Sequence, residues 1–343
     1  LNQQFGWRST FWLGGVLAAV ALLMMLSFVK ESRAGGNKRV DWVGILLAAA
    51  GLFGVIYGIN QAGSQGFTSS AVLVPVGIGL IVLVSLVLYS RKKKDPALQL
   101  VLFKKPEFSV GVLLFAMLGF ASMGPYFQLS TYLQSLQKVA PLQAALTLLP
   151  YTLAMFVFAI LAGLWVGKIS NKLLITGGLV LMLISLVAMA LLLSPTAGFW
   201  VYLLPMVLLG AGYSICNTPR VSVVLGSAPP ELAGSASATN NASLQVGVSL
   251  GIAAMGALFQ SFARNAYFTD LKGMGLDQAT IDKSVEVLIA WLKVNAGDVA
   301  AQFGITVQQL QVVITEYQSA YTSGVANVLW VGAAAVAVGA ALA

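Results

Sequence analysis

NNASLQVGVSLGIAAMG, Asn240 to Gly256, is the stretch whose reading decides the fold. It is apolar enough to enter a membrane, yet it carries Asn240, Asn241, Ser243, Gln245, Ser249 and three glycines. Wound as a helix at about 100° per residue, Asn241, Gln245 and Ser249 form one stripe, with Gly256 beside it. Gly247 and Gly251 fall roughly opposite, with Ser243 and Ala254 nearby. The small face lets a second helix approach closely, so Gly247 and Gly251 read as helix-packing residues. The polar face cannot point at lipid without leaving hydrogen bonds unmade. It must meet a partner helix or a water-filled cavity.

The rest of the chain has the same character. Of its 343 residues 58% are hydrophobic and 9% charged, against about 25% charged in a soluble domain; its mean hydropathy is +0.87. Lipid must therefore cover most of its surface. Nine apolar runs approach the roughly 20 residues that a spanning helix needs. They lie near 11–29, 42–62, 71–89, 108–133, 142–166, 173–193, 199–224, 236–260 and 324–343. Spanning strands would be shorter and alternating, so the fold class is an all-α polytopic membrane protein.

Basic residues set the expected orientation. Thirteen of the nineteen Lys and Arg follow alternate runs: Lys30, Arg33, Lys38 and Arg39; Arg91 to Lys94 with Lys104 and Lys105; Lys168 and Lys172; Arg220. The short connections on the other side hold Arg8 and Lys138. The bias places the thirteen in the cytoplasm and the C-terminal end with them, in a plasma (bacterial inner) membrane. It also accounts for the net charge of +8 without a nucleic acid. Arg220, at the end of its run, reads as a positive-inside anchor.

Residues 261–323 are then external. Val285, Leu288, Ile289 and Leu292 repeat at helical spacing, as do Leu310, Val313, Ile314 and Tyr317; Thr306 with Gln309 resembles a capping box. Two amphipathic helices are expected there, forming a solvated cap or lying on the outer leaflet.

No enzyme is expected. Histidine is absent and Cys216 is the one cysteine, so neither an internal disulfide nor a Cys/His metal site is expected, nor a cofactor. The eleven carboxylates fall in loops or at span boundaries, so no intramembrane acid marks a proton relay. Polar side chains do gather in several runs: Tyr126, Gln128, Thr131 and Tyr132 in the fourth, and Tyr213, Asn217 and Thr218 in the seventh. With the stripe of the eighth they fit a polar central cavity better than isolated bonds between helices. The substrate-cavity candidates are Tyr126, Gln128, Tyr132, Asn217, Asn241, Gln245 and Ser249.

Three stretches carry a family resemblance: KVAPLQAALTLLPYTLAMFVFAILAGLWVGKISNK (138–172), LLGAGYSICNTPRVSVVLGSAPPELAGSASATNNASLQVGVSLGIAAMGALF (208–259) and GWRSTFWLGGVLAA (6–19). Together they resemble the 14-span drug:proton antiporters of the major facilitator superfamily, with this chain standing as spans six to fourteen. The resemblance implies a last span of an N-terminal bundle at 1–29. Two linker spans with basic cytoplasmic loops occupy 30–107, and a complete C-terminal six-helix bundle occupies 108–343. Leu1 and Ala343 are expected to be cut ends, with five spans of the N-terminal bundle upstream. GLWVGKISNK stands where the family carries G-x-x-x-D-R-x-G-R-K between two helices. Gly163 and Lys168 match it, Gly167 replaces the acid, and Ser170 replaces the second glycine, as in a degenerate repeat copy.

The function this implies is proton-coupled efflux of small amphipathic compounds or drugs by alternating access, with a small-molecule substrate, protons and the lipid bilayer as partners. Two other classes fit the residues. A non-transporting scaffold or sensor agrees with the missing intramembrane acids and the degenerate loop, and a facilitator acting as importer or uniporter needs no proton relay.

Overall fold

The computed structural model describes residue 6 and residues 8–28, 40–273, 284 and 307–343. The chain divides into two compact units, residues 1–40 and 41–343. The first holds one described helix, α1 (Arg8–Phe28), apolar along its length.

The second unit is a set of helices joined by tight turns. They are α2 (Trp42–Gln65), α3 (Ser70–Lys92), α4 (Pro106–Thr131, prolonged by a π turn, Tyr132–Leu136) and α5 (Pro141–Trp165). There follow α6 (Asn171–Leu192), α7 (Phe199–Ser227), α8 (Ala233–Gly273) and α9 (Val307–Leu342). Among the described residues nine helices are long and apolar enough to cross a membrane, and they fall on the nine expected runs. The protein is a multi-pass membrane protein.

Local chemistry sets the helix ends. Asp41 caps α2 by accepting from the Gly44 amide at 2.9 Å, and Ser170 caps α6 by accepting from Leu173 N at 3.2 Å. Pro106 and Pro141 open α4 and α5, where a missing N–H costs nothing. Gly167, in the tight turn after α5, has φ +84°. A side chain there would be strained, which explains a glycine where the family's loop carries an acid. Gly163 beside it faces open space, and Lys168 is exposed.

Two helices run well past the expected spans. α8 continues from the apolar run to Gly273, and α9 begins as far back as Val307. No Pro or Gly interrupts residues 257–272 or 307–323, so nothing stops the helix where the polar residues begin. The stripe Leu310, Val313, Ile314 and Tyr317 is helical as expected, but it belongs to α9 rather than to a separate cap helix. Leu310 is buried, and Val313 and Tyr317, with Ala320 of the same helix, pack against Tyr267 and Leu271 of the α8 extension. Val285, Leu288, Ile289, Leu292 and Thr306 lie outside the described residues, and nothing is described of the Gln309 side chain.

The helices meet through small residues, as expected where lipid removes the hydrophobic drive between them. The α4–α8 seam is the tightest. A Cβ on Gly251 would lie 2.7 Å from Phe120 O, one on Gly119 2.8 Å from Leu244 O, and one on Gly124 2.9 Å from Gly251 O. One on Gly247 would overlap the carbonyl oxygen of Ala116. Residue numbers rise together along the seam, so α4 and α8 run parallel. α6 and α7 cross similarly through Gly178 and Gly212. Large apolar side chains such as Phe156 and Trp200 point outward, 69% and 78% exposed, toward what must be lipid.

Hydroxyls also tie neighbouring spans through backbone carbonyls. The Ser185 hydroxyl of α6 donates to Pro205 O of α7 at 2.6 Å, and the Ser214 hydroxyl of α7 donates to Met155 O of α5 at 2.8 Å.

Candidate functional site

α8 presents two faces. Its Gly247–Gly251 face is sealed against α4. On the opposite side Asn241 and Gln245 are exposed and Ser249 is half-buried. Asn241 and Gln245 make no hydrogen bond among the described residues, so a polar stripe stands uncovered on a helix buried elsewhere by backbone contact.

The other candidates divide. Gln128 is buried and donates to Met255 O at 3.1 Å, inside the α4–α8 seam. Tyr132 is fully buried, its hydroxyl 3.2 Å from Thr322 Oγ1 of α9 and its ring 6.0 Å from that of Tyr321. Both tie helices together within the bundle. Tyr126 is half-buried and lies 5.3 Å, ring to ring, from Tyr151 of α5. Asn217 is half-buried and engaged by Arg220. None of the seven lines the cavity of about 640 Å³ between the end of α4, α5 and the start of α7, which is walled by Gln137, Thr147, Pro150 and Tyr202 among others.

Arg220 departs from its expected place. It is 1% exposed, enclosed rather than anchored at a membrane surface. Its Nη1 donates to Asn240 Oδ1 at 2.8 Å and to Gly111 O at 3.0 Å. Nη2 and Nε donate to Asn217 Oδ1 at 2.9 and 3.3 Å, and the guanidinium carbon sits 3.8 Å above the Phe115 ring. One cation therefore joins the first half of α4, the end of α7 and the start of α8. Asn217, Arg220 and Asn240 each stand out in sequence; their convergence from two helices does not.

A second polar cluster lies just outside the spans. Asp41, 5% exposed, accepts from Lys93 Nζ at 2.7 Å, from the Tyr89 hydroxyl at 3.0 Å, and from the Gly44 and Ala97 amides at 2.9 and 2.8 Å. Burial pushes its carboxyl up, but the Lys93 ammonium, the two amides and the Tyr89 hydroxyl together outweigh it and hold it well below the usual carboxylate range. Donating that hydrogen bond to Asp41 in turn raises the pKa of the Lys93 ammonium. The clamp fixes the start of α2 to the end of α3 and to the loop beyond. An acid before an apolar run is a legible cap signal; a partner 52 residues away is not.

Residues 1–252 match the family model of the Major Facilitator Superfamily. The chain belongs to the major facilitator superfamily. That is a family of membrane transporters and not of enzymes. Among relatives, the multidrug resistance protein Stp of Mycobacterium tuberculosis is 26% identical over 76% of this chain and 48% of its own length. The tetracenomycin C resistance and export protein of Streptomyces glaucescens is 29% identical over 76% of this chain and 48% of its own. The lincomycin resistance protein LmrB of Listeria innocua is 26% identical over 80% and 58%. The names fall in the drug-efflux part of the superfamily, to which the three quoted stretches pointed. The chain spans about half the length of the curated relatives it matches. In fold it is similar to a bacterial homologue of the human lysosomal transporter Spinster in an inward-facing, unoccupied conformation. The TM-score is 0.51 at 16% identity, covering 88% of this chain and 64% of that one.

Proposed function

We propose that this chain forms one wall of a secondary active exporter of small amphipathic compounds, driven by proton exchange and working by alternating access between two bundles. The observation that supports it is the uncovered stripe Asn241, Gln245 and Ser249 on α8, opposite a face closed by backbone contact. An apolar helix keeps such a stripe only where water, a polar ligand or another polar helix meets it. Relatives named for drug resistance and export supply the substrate class.

The basic helix ends collect on one side of residues 41–343: Asp41 meets Lys93 there, and Gly111 meets Arg220 and Asn240. The charge bias supports a cytoplasmic place for that side, with the stretch 261–323 external, and the bacterial relatives support a bacterial inner membrane. In this reading residues 30–107 link two bundles and 108–343 form the C-terminal one. The coupling acids belong to the partner bundle, because none of the carboxylates here lies mid-span.

The test uses the intact protein in a pump-deficient bacterial host. Efflux of a fluorescent amphipathic dye is followed with and without a pH gradient. Gln245→Leu and Asn241→Leu should slow efflux at unchanged membrane abundance, and collapse of the gradient should stop it. Unaltered efflux in both variants would sink the cavity assignment, and gradient-independent movement would leave a uniporter instead.

A further inference from the structure

The basic end of the bundle encloses a cavity of about 260 Å³. Arg220 of α7, Lys172 and Asn171 at the start of α6, Gly111 and Glu107 near the start of α4, and Ala343 after α9 line it. Its electrostatics are unbalanced. Arg220 is a permanent cation at 1% exposure, and every acceptor it uses, Asn217, Asn240 and Gly111 O, is neutral. Arg220 makes no ion pair among the described residues. A buried charge without a counter-charge is costly.

Arg220 also has a donor to spare. Of five guanidinium N–H groups, Nε uses one, Nη1 uses two and Nη2 uses one. The second Nη2–H has no acceptor among the described residues. Lys172 adds a second cation. The 22-residue helix α6 begins at this cavity, and Ser170 caps only its Leu173 amide. The Asn171 and Lys172 amides of that first turn have no acceptor among the described residues, and they carry the positive end of the helix dipole.

We propose that this cavity is a binding site for one oxyanion group, a phosphate or carboxylate, held by Arg220 Nη2, the Lys172 ammonium and the N-terminus of α6. The anion supplies the counter-charge that Asn217 and Asn240 cannot, in a charge-assisted geometry that a guanidinium favours. Two sources offer this chemistry: a free oxyanion from the adjoining water, and the headgroup phosphate of an anionic lipid. Glu107 is the one carboxylate side chain in the lining. It is exposed and makes no ion pair with Arg220, so it opposes a bound anion rather than replacing it.

Thermal unfolding of the intact protein, lipid-depleted in a neutral detergent, tests this at matched ionic strength. Inorganic phosphate, phosphatidylglycerol and phosphatidylcholine are titrated separately. A saturable rise in Tm with phosphate identifies a solute oxyanion, and a rise with phosphatidylglycerol alone identifies a headgroup; phosphatidylcholine should give none. Lys172→Gln should weaken the midpoint about tenfold, the loss of one charge-assisted contact, and Glu107→Gln should tighten it. Arg220→Gln should abolish the response, and Lys172→Gln keeps the test decisive if that variant does not fold. No saturable rise with either anion, or equal midpoints in wild type, Lys172→Gln and Glu107→Gln, overturns the site. So does a Glu107→Gln protein that loses as much Tm without added anion as Arg220→Gln, since Glu107 would then be the counter-charge.

Discussion

Replacing Gly247 by alanine tests the packing reading of α8 most directly. The new Cβ would lie 2.6 Å from the carbonyl carbon of Ala116 and 2.7 Å from its Cα. Both are backbone atoms, so no rotamer change relieves the clash. Carbon atoms rest at about 3.5–4.0 Å, so α4 and α8 must part by about 1 Å along the seam. Overpacking of this kind costs about 1–3 kcal/mol. Gly256 supplies the control on the same helix, since a Cβ there meets nothing within 4 Å. At Gly256 alanine has only its better helix propensity, worth up to about 1 kcal/mol. The two variants should therefore move in opposite directions from wild type and differ by roughly 1–4 kcal/mol. Unfolding of the intact protein in mixed micelles of a denaturing detergent, read by tyrosine and tryptophan fluorescence, measures this. Indistinguishable Gly247→Ala and Gly256→Ala proteins would refute the claim that backbone contact seals this face.

The division of the polar residues makes a paired prediction. Gln128→Leu should lower stability by about 0.6 kcal/mol, the usual value of one interhelical bond, and leave dye efflux intact, whereas Gln245→Leu should do the reverse; matching phenotypes would erase the distinction between glue and wall. Asp41→Ala removes a cap and a charge-assisted bond and should cost about 2–4 kcal/mol. Because the folded carboxyl is held below its ordinary value of 3.8, its contribution is complete above that pH and is lost only as pH falls through the lower folded value. The Tm gap between wild type and Asp41→Ala should thus be equal at pH 8 and pH 5, and a gap that closes between them would contradict the clamp. Ser185→Ala removes the bond from α6 to Pro205 O of α7 and should cost about 1 kcal/mol, measurable in the same unfolding assay.

Local rules made much of this protein readable in advance. Spans follow from run length, and the two faces of α8 from the period of 3.6. Each of these depends on neighbours within a turn or two. The departures from expectation lie where such rules stop. The extensions of α8 and α9 escaped because hydropathy reports where the membrane ends, not where a helix ends, and water tolerates both. Gln128 and Tyr132 are cavity candidates in sequence and bond to neighbouring helices in the structure, because a lone helix cannot say which of its polar groups meets a neighbour. Arg220 looked like an anchor because its acceptors come from Gly111, 109 residues away, and Asn240, 20 residues away.

The same contrast bears on how the bundle can move. A seam built from backbone on both sides has no side-chain slack, so α4 and α8 cannot slide without breaking contact over Gly119, Gly124, Gly247 and Gly251 together. Gln128 ties one end of that seam and Arg220 the other, through Met255 O, Gly111 O and Asn240. The pair is thus held at three levels along its length, and packed interfaces of this kind switch between discrete arrangements rather than deform gradually. Any alternation of access that uses the stripe on α8 must carry α4 with it as one body. The yielding contacts must lie on the stripe's side, where Asn241 and Gln245 have no partner of their own to lose.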